Sequence, residues 1–288
     1  MRDASPPNHD IGARWDPRQY ELFARERSLP LLHLLAAVPE SEVGRIADLG
    51  CGSGMSTLEL ARRWPSATIW AVDTSHEMLD QAHHQALLSN VRFIVADVAA
   101  WRAPEPLDLI VSNAVLHWID DHQRLLAHVT GQLGPAGTLA FQVPNNFSEP
   151  SHRLLYELTE ETPWRERLTP LRRAAVQGPR WYQTCLAELG FESIVWESTY
   201  YHLLTGDNPV LEWTRGATLR PILAALDHGQ AERFASEYAR RLSSAYPPGP
   251  RGTVLPFRRI FVVAHRSRGE GADTGLHWKG IDQDGGVR

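Results

Sequence analysis

Arg45-Ile-Ala-Asp-Leu-Gly-Cys-Gly-Ser-Gly54 is the stretch whose reading decides the fold. Its apolar half, residues 46–49, reads as a short strand, and it ends where Gly50, Gly52 and Gly54 let the backbone turn sharply and come close to a ligand. Met55, Leu58 and Ala61 then recur at helical spacing, so the glycines sit at a strand-to-helix crossover of the nucleotide-holding kind. A dinucleotide fingerprint needs a third glycine three residues after the second, and that position here is Met55. A carboxylate, Asp48, stands two residues before the first glycine, where it would repel a pyrophosphate and attract a cationic ligand.

The pattern Asp48-x-Gly50-x-Gly52-x-Gly54 resembles the first motif of the class I S-adenosylmethionine-dependent methyltransferases. The resemblance implies that Asp48 faces the methionyl end of the cofactor and that the three glycines wrap it. A second carboxylate, Asp73, closes an apolar run 23 residues after Gly50, where the ribose-binding acid of a Rossmann-like unit belongs. An Asp after a strand can also cap a helix, but Ser75 is available for that role. The resemblance extends the cofactor contacts to Thr74 and Met78, to Asp97 and Val98 at the adenine, and to Asn113 and Ala114 near the methionyl part. It places His117 and Trp118 at the methyl-transfer face.

With 288 residues, 43% of them apolar, the chain can bury a substantial core. A net charge of −5 argues against a sequence-independent grip on nucleic acid, which needs a basic face. No apolar run reaches the roughly 20 residues that span a bilayer, and residues 1–10 lack the apolar core of a signal peptide, so a cytoplasmic location is expected. Cys51 and Cys185 make neither a disulfide framework nor a thiolate metal site, and the adjacent His83 and His84 have no ligand-spaced partner, so no metal is expected. The only lysine is Lys279.

Residues 1–12 read as a disordered lead and 267–288 as a disordered tail around a single domain, 13–266. Within it, 13–43 form a helical cover made of two short helices interrupted at Pro30. The cofactor-binding core spans 44–144, with strands at 45–50, 67–73, 91–96, 107–112 and 137–143 and helices at 53–63, 76–88 and 121–133. That alternation implies a parallel sheet with right-handed crossovers, and the fold class is α/β, Rossmann-like. Residues 145–256 hold substrate-side helices and a strand at 191–203. The last strand, 257–266, completes a mixed seven-stranded sheet as the hairpin partner of 191–203.

The second half carries a narrower resemblance. Trp196-Glu-Ser-Thr-Tyr-Tyr-His202, Trp213-Thr-Arg-Gly-Ala-Thr-Leu-Arg-Pro221 and Phe257-Arg-Arg-Ile-Phe-Val-Val-Ala264 resemble the branch of those methyltransferases that esterifies trans-aconitate. So do Trp15-Asp-Pro-Arg-Gln-Tyr20, the Ala24-Arg-Glu-Arg27 run and Gln142-Val-Pro-Asn145. The acceptor this implies is a small polycarboxylate. A carboxylate is a nucleophile at neutral pH without a general base, so alignment and desolvation suffice. Anchoring the remaining carboxylates calls for arginine. The substrate-side candidates are Arg27, Arg220 and Arg258, lined by Trp15, Tyr20, Asn145, Tyr200, Tyr201, His202 and Trp213, with His117 the one catalytic candidate. A methyltransferase for another carboxylic acid or natural product, or a binding protein without turnover, are the competing readings.

Overall fold

The computed structural model describes residues 24–39, 42–85, 89–169, 175–216 and 218–266. The expected lead and tail, and with them Trp15 and Tyr20, lie outside the described residues. The first element is helix α1, Ala24–Ala36. It is one helix that runs through Pro30 where two were expected. The missing backbone donor is offset by packing: Leu31, Leu34 and Leu35 are buried against the sheet.

Strand β1, Arg45–Leu49, leads through the glycine loop into α2, Met55–Arg63, then β2, Thr68–Asp73, α3, His76–Gln85, and β3, Val91–Val95. The second half of the core is β4, Leu107–Asn113, a single 3₁₀ turn at Leu116–Trp118, α4, His122–Thr130, and β5, Leu133–Pro144. The remaining segment supplies α5, Pro150–Thr159, α6, Pro179–Glu188, β6, Phe191–Leu204, α7, Pro209–Arg215, α8, Arg220–Ala224, and α9, His228–Ala245, before β7, Thr253–Arg266. The sheet order is β3-β2-β1-β4-β5-β7-β6, with β1 to β5 parallel and β7 antiparallel to both neighbours. The expected hairpin of the last two strands is present but longer, because β7 starts at Thr253 and pairs with β6 along its whole length.

Both sheet faces are covered, which is why the central strands carry apolar residues on both faces. On one face Ile46, Ile69, Val111, Ala140, Phe261 and Val263 pack under α1 and α2. On the other, Leu49, Ile110, Phe141, Ile260 and Val262 pack under α4 and α6. A separate cluster joins α5, α7 and α9 to the start of β7 through Leu155, Trp213, Phe234, Tyr238 and Phe257. It sets these helices beside the start of β7, at the carboxyl edge of the parallel strands, where open α/β sheets bind ligands.

Candidate active site

The loop after β1 is built from backbone that only glycine adopts readily. Gly50, Gly52 and Gly54 have φ of 76°, 53° and 89°. A Cβ on Gly50 would collide with the Val115 side chain, and one on Gly54 would sit 3.0 Å from Ala82 Cβ. A Cβ on Gly52 would meet nothing within 4 Å, so the middle of the loop faces open space. Asp73 closes the far side: Oδ2 accepts the Gly52 N–H at 2.9 Å and Oδ1 the Ser75 N–H at 3.0 Å. Ser75 Oγ accepts the Met78 N–H at 3.2 Å and starts α3, which leaves the remaining lone pairs of Asp73 available.

Asp48 is fully buried beneath the loop. Its Oδ2 accepts hydroxyl hydrogen bonds from Ser56 at 2.7 Å and Thr57 at 2.6 Å, while Oδ1 is buried without a hydrogen-bond partner. Burial pushes its pKa up to about 6 against the effect of the two hydroxyls, and the charge of Asp73 adds to the rise. Such a carboxylate gains from a cation or a donor on its open oxygen. At the ends of β2 and β3, Thr74 is exposed and Met78 half-buried. Asp97 is exposed with Oδ1 accepting the Ala99 N–H at 2.8 Å, and Val98 is buried beside it.

Asn113 ends β4 and is followed by Ala114 at φ 59°, a conformation unusual for a residue with a side chain. Gln142 Nε2 donates to Asn113 Oδ1 at 2.6 Å, and Gln142 Oε1 accepts from Arg259 Nη1 at 2.9 Å. This row crosses the carboxyl ends of β4 and β5 and the first half of antiparallel β7, on the α1 face. His117, in the 3₁₀ turn just beyond, is buried with Nδ1 lacking a hydrogen-bond partner. Its ring lies 4.5 Å from Trp118, itself 52% exposed, and 6.3 Å from Phe147. Burial, with the Arg259 charge acting in the same direction, pushes the His117 pKa down to about 3, so the imidazole is neutral.

Further along that face, the half-buried Tyr200 hydroxyl meets His33 Nδ1 at 2.8 Å, tying α1 to β6. Tyr200 stacks with His202, and buried His202 stacks on Trp213 at 4.9 Å. Trp213 belongs to the insertion core and backs His202. By the two-residue period of a strand, two of the expected lining residues fall on the other face from Tyr200 and Arg259. Tyr201 follows Tyr200 on β6, points the other way and is 71% exposed. Arg258 precedes Arg259 on β7 and turns to the opposite face, where its guanidinium meets Glu149 at 3.1 Å and Glu197 at 3.8 Å. Asn145 joins that cluster, its Nδ2 donating to Glu197 Oε2 at 2.6 Å. Arg27 falls within α1, with its side chain outside the described residues. Arg220 opens α8; partial burial lowers its pKa from the ordinary value, and the charge of Glu77, in the first turn of α3, opposes that shift.

Sequence reading passed over Arg259 and Gln142. Arg259 shares one face of β7 with Phe257, Phe261 and Val263, but both faces of that strand are apolar, so its alternation does not separate Arg259 from Arg258.

A family model described as a methyltransferase domain matches residues 46–137. Over 260 residues the chain is 48% identical to a trans-aconitate 2-methyltransferase of Streptomyces avermitilis, a span covering 88% of this chain and 97% of that one. It is 38% identical over 254 residues to a protein of the same name from Escherichia coli O157:H7, covering 88% and 98%. Among solved structures, the YcgJ protein of Bacillus subtilis superposes with a TM-score of 0.55 at 17% identity, over 85% of this chain and all of that one. A Haemonchus contortus phosphoethanolamine N-methyltransferase 2, solved with S-adenosylhomocysteine, does so with a TM-score of 0.50 at 16% identity, over 83% and 53%. At those identities the structural likeness shows the fold, which is the Rossmann-like one of class I methyltransferases.

Proposed function

Because the chain belongs to the trans-aconitate 2-methyltransferase family, we propose that it methylates a carboxylate oxygen of trans-aconitate, giving a monomethyl ester, with S-adenosylmethionine as the methyl donor. The observation that carries this reading is that the match to a relative of that name, 48% identical, spans 260 residues and so takes in much more than the glycine loop and its core.

The loop fits such a donor on three counts. Gly52 borders open space, Asp48 holds a buried oxygen without a hydrogen-bond partner, and Asp73 keeps lone pairs for a ribose. We assign Asp48, Gly50, Gly52, Gly54, Asn113 and Ala114 to its methionyl end, Asp73, Thr74 and Met78 to the ribose, and Asp97 and Val98 to the adenine. When bound, S-adenosylmethionine supplies an electrophilic methyl group on a sulfonium sulfur.

The protein's own part is binding, orientation and exclusion of water. A carboxylate is ionised well below neutral pH, so no proton has to be removed before it acts as a nucleophile. We assign His117, whose ring is held neutral and whose buried Nδ1 has no hydrogen-bond partner, to hydrogen-bonding the acceptor without titrating near neutrality. Residence in the cytoplasm belongs to the same proposal; among the described residues no helix is long and apolar enough to cross a membrane. Incubation with methyl-labelled S-adenosylmethionine and trans-aconitate tests the reaction: label that is released as methanol by mild alkali marks a carboxyl ester. Alkali-stable label would place the methyl on another atom and remove the reading.

A further inference from the structure

We propose that the side chain of Asn146, together with that of His117, holds the carboxylate that receives the methyl group; this assignment rests on the functional reading above. Asn113 at the end of β4 and Gln142 on β5 stand in register, and His117 and Asn146 each lie four residues further along the chain. Both therefore belong to the exits of neighbouring parallel strands, at the carboxyl edge of the sheet. Phe147, the residue after Asn146, brings its ring to 6.3 Å from that of His117. Asn146 is 2% exposed and His117 6%, and Asn146 Oδ1 and His117 Nδ1 are both buried without a hydrogen-bond partner. A buried polar atom left unpaired is costly, and two of them at adjoining strand exits point to a ligand that pairs with both side chains.

The turn that carries Asn146 is fixed by its backbone. Asn145 N–H donates to Arg258 O at 2.8 Å, Arg258 Nε donates to Asn145 O at 3.1 Å, and Asn146 O accepts the Glu149 N–H at 3.1 Å. Glu197 takes the Asn145 amide, whereas among the described residues neither atom of the Asn146 amide takes part in a hydrogen bond. Nothing fixes which way that amide is turned, so it can present Nδ2 as a donor to a carboxylate oxygen. His117, with its imidazole neutral, has one N–H to offer. Neutral donors suit the reacting carboxylate for a physical reason. Its oxygen gives an electron pair to the methyl carbon as the bond from that carbon to sulfur breaks, so its negative charge fades in the transition state and no proton moves. A cation on that oxygen would stabilise the reactant more than the transition state, whereas an amide and a neutral imidazole orient it with less of that loss.

Steady-state kinetics of Asn146→Ala and Asn146→Asp, with melting temperature and S-adenosylhomocysteine affinity measured on each, test the assignment. Alanine removes an amide that makes no hydrogen bond within the protein, so Asn146→Ala should keep most of its melting temperature and its cofactor affinity. Its kcat with trans-aconitate should fall about 10-fold or more while KM changes far less, because the other carboxylates still bind. Asn146→Asp keeps the shape but sets a like charge against the acceptor, and kcat/KM should fall about 100-fold or more. In a His117→Phe background, which keeps a ring but offers no donor, Asn146→Ala should cost far less than in wild type. A wild-type kcat in Asn146→Ala would overturn the assignment, as would a loss confined to KM, and an equal cost in the two backgrounds would overturn the joint hold. If Asn146→Ala does not fold, a wild-type kcat/KM in Asn146→Asp overturns the assignment instead. Absence of ester from the wild-type protein would remove the functional reading and this assignment together, whereas wild-type turnover with unaffected variants removes the assignment alone.

Discussion

The Gly52 backbone N–H donates to Asp73 Oδ2 at 2.9 Å, which joins the glycine loop after β1 to the acid that ends β2. The carboxylate therefore holds the loop's shape, in addition to the ribose-binding role we propose for it. Asp73→Ala removes both effects and should weaken S-adenosylhomocysteine binding by about 2 kcal/mol or more. Calorimetry on the folded variant that returned wild-type affinity would contradict the ribose assignment.

Gly50 and Gly52 should fail differently when substituted. A side chain at Gly50 collides with Val115, so Gly50→Ala should lower the melting temperature. At Gly52 a side chain meets no protein atom but enters the open space in front of the loop, with a backbone penalty of about 1–2 kcal/mol for the left-handed conformation. Gly52→Val should accordingly remain folded and lose cofactor binding. Normal S-adenosylhomocysteine affinity in that variant would move the site away from the loop.

The reaction should show no titrating base. The acceptor carboxylate is ionised above about pH 5, and His117, with its pKa pushed down to about 3, stays neutral from there upward. The rate of the chemical step should be flat from pH 6 to 8, and a steep rise across that range would require a base.

The same histidine bears on stability with a definite sign. In the unfolded chain His117 takes a proton near its ordinary 6.5, in the folded protein only near 3, so between those values the unfolded state binds more protons and acidification destabilises the fold. His152, pushed down to about 4 by burial, acts in the same direction. Asp48 acts oppositely: raised to about 6 from 3.8, it takes its proton first in the folded state, so its buried charge costs less as pH falls through that window. His117→Gln should therefore retain about 2 kcal/mol more stability than wild type on going from pH 7 to 4.5, as read from urea unfolding. Equal losses in the two proteins would contradict the buried neutral state.

The glycine loop, the parallel core and the final hairpin were legible because each leaves a periodic or positional trace: alternating glycines, an acid 23 residues on from Gly50, and apolar runs between helical segments. The inward choice between neighbours was not. β7 is buried on both faces through much of its length, so Ile260 and Phe261 are equally apolar and alternation gives no polarity cue to separate Arg258 from Arg259. On β6, Tyr200 and Tyr201 are chemically identical, and only the pairing register with Phe257 and Pro256 tells their faces apart. Pro30 misled for a different reason, since local propensity gave way to the packing of Leu31, Leu34 and Leu35.

Arg220 opens α8 just before Pro221, and the charge of Glu77 in the first turn of α3 acts on it. If it holds a second carboxylate of the acceptor, Arg220→Met keeps most of the stem's packing and removes the fork. Because solvent screens a partly exposed charge, turnover at sub-saturating trans-aconitate should fall by only about 10-fold, while cofactor binding is unchanged. Wild-type turnover would return it to a surface role.

The central claim is tested most directly by a competition measured with mass spectrometry. Wild-type protein and labelled S-adenosylmethionine are offered trans-aconitate together with dicarboxylic acids, a phenol and an amine at equal concentration. The account expects a single dominant product, the monomethyl ester of the tricarboxylate. Preferential methylation of the amine or the phenol, with trans-aconitate left unmodified, would contradict it.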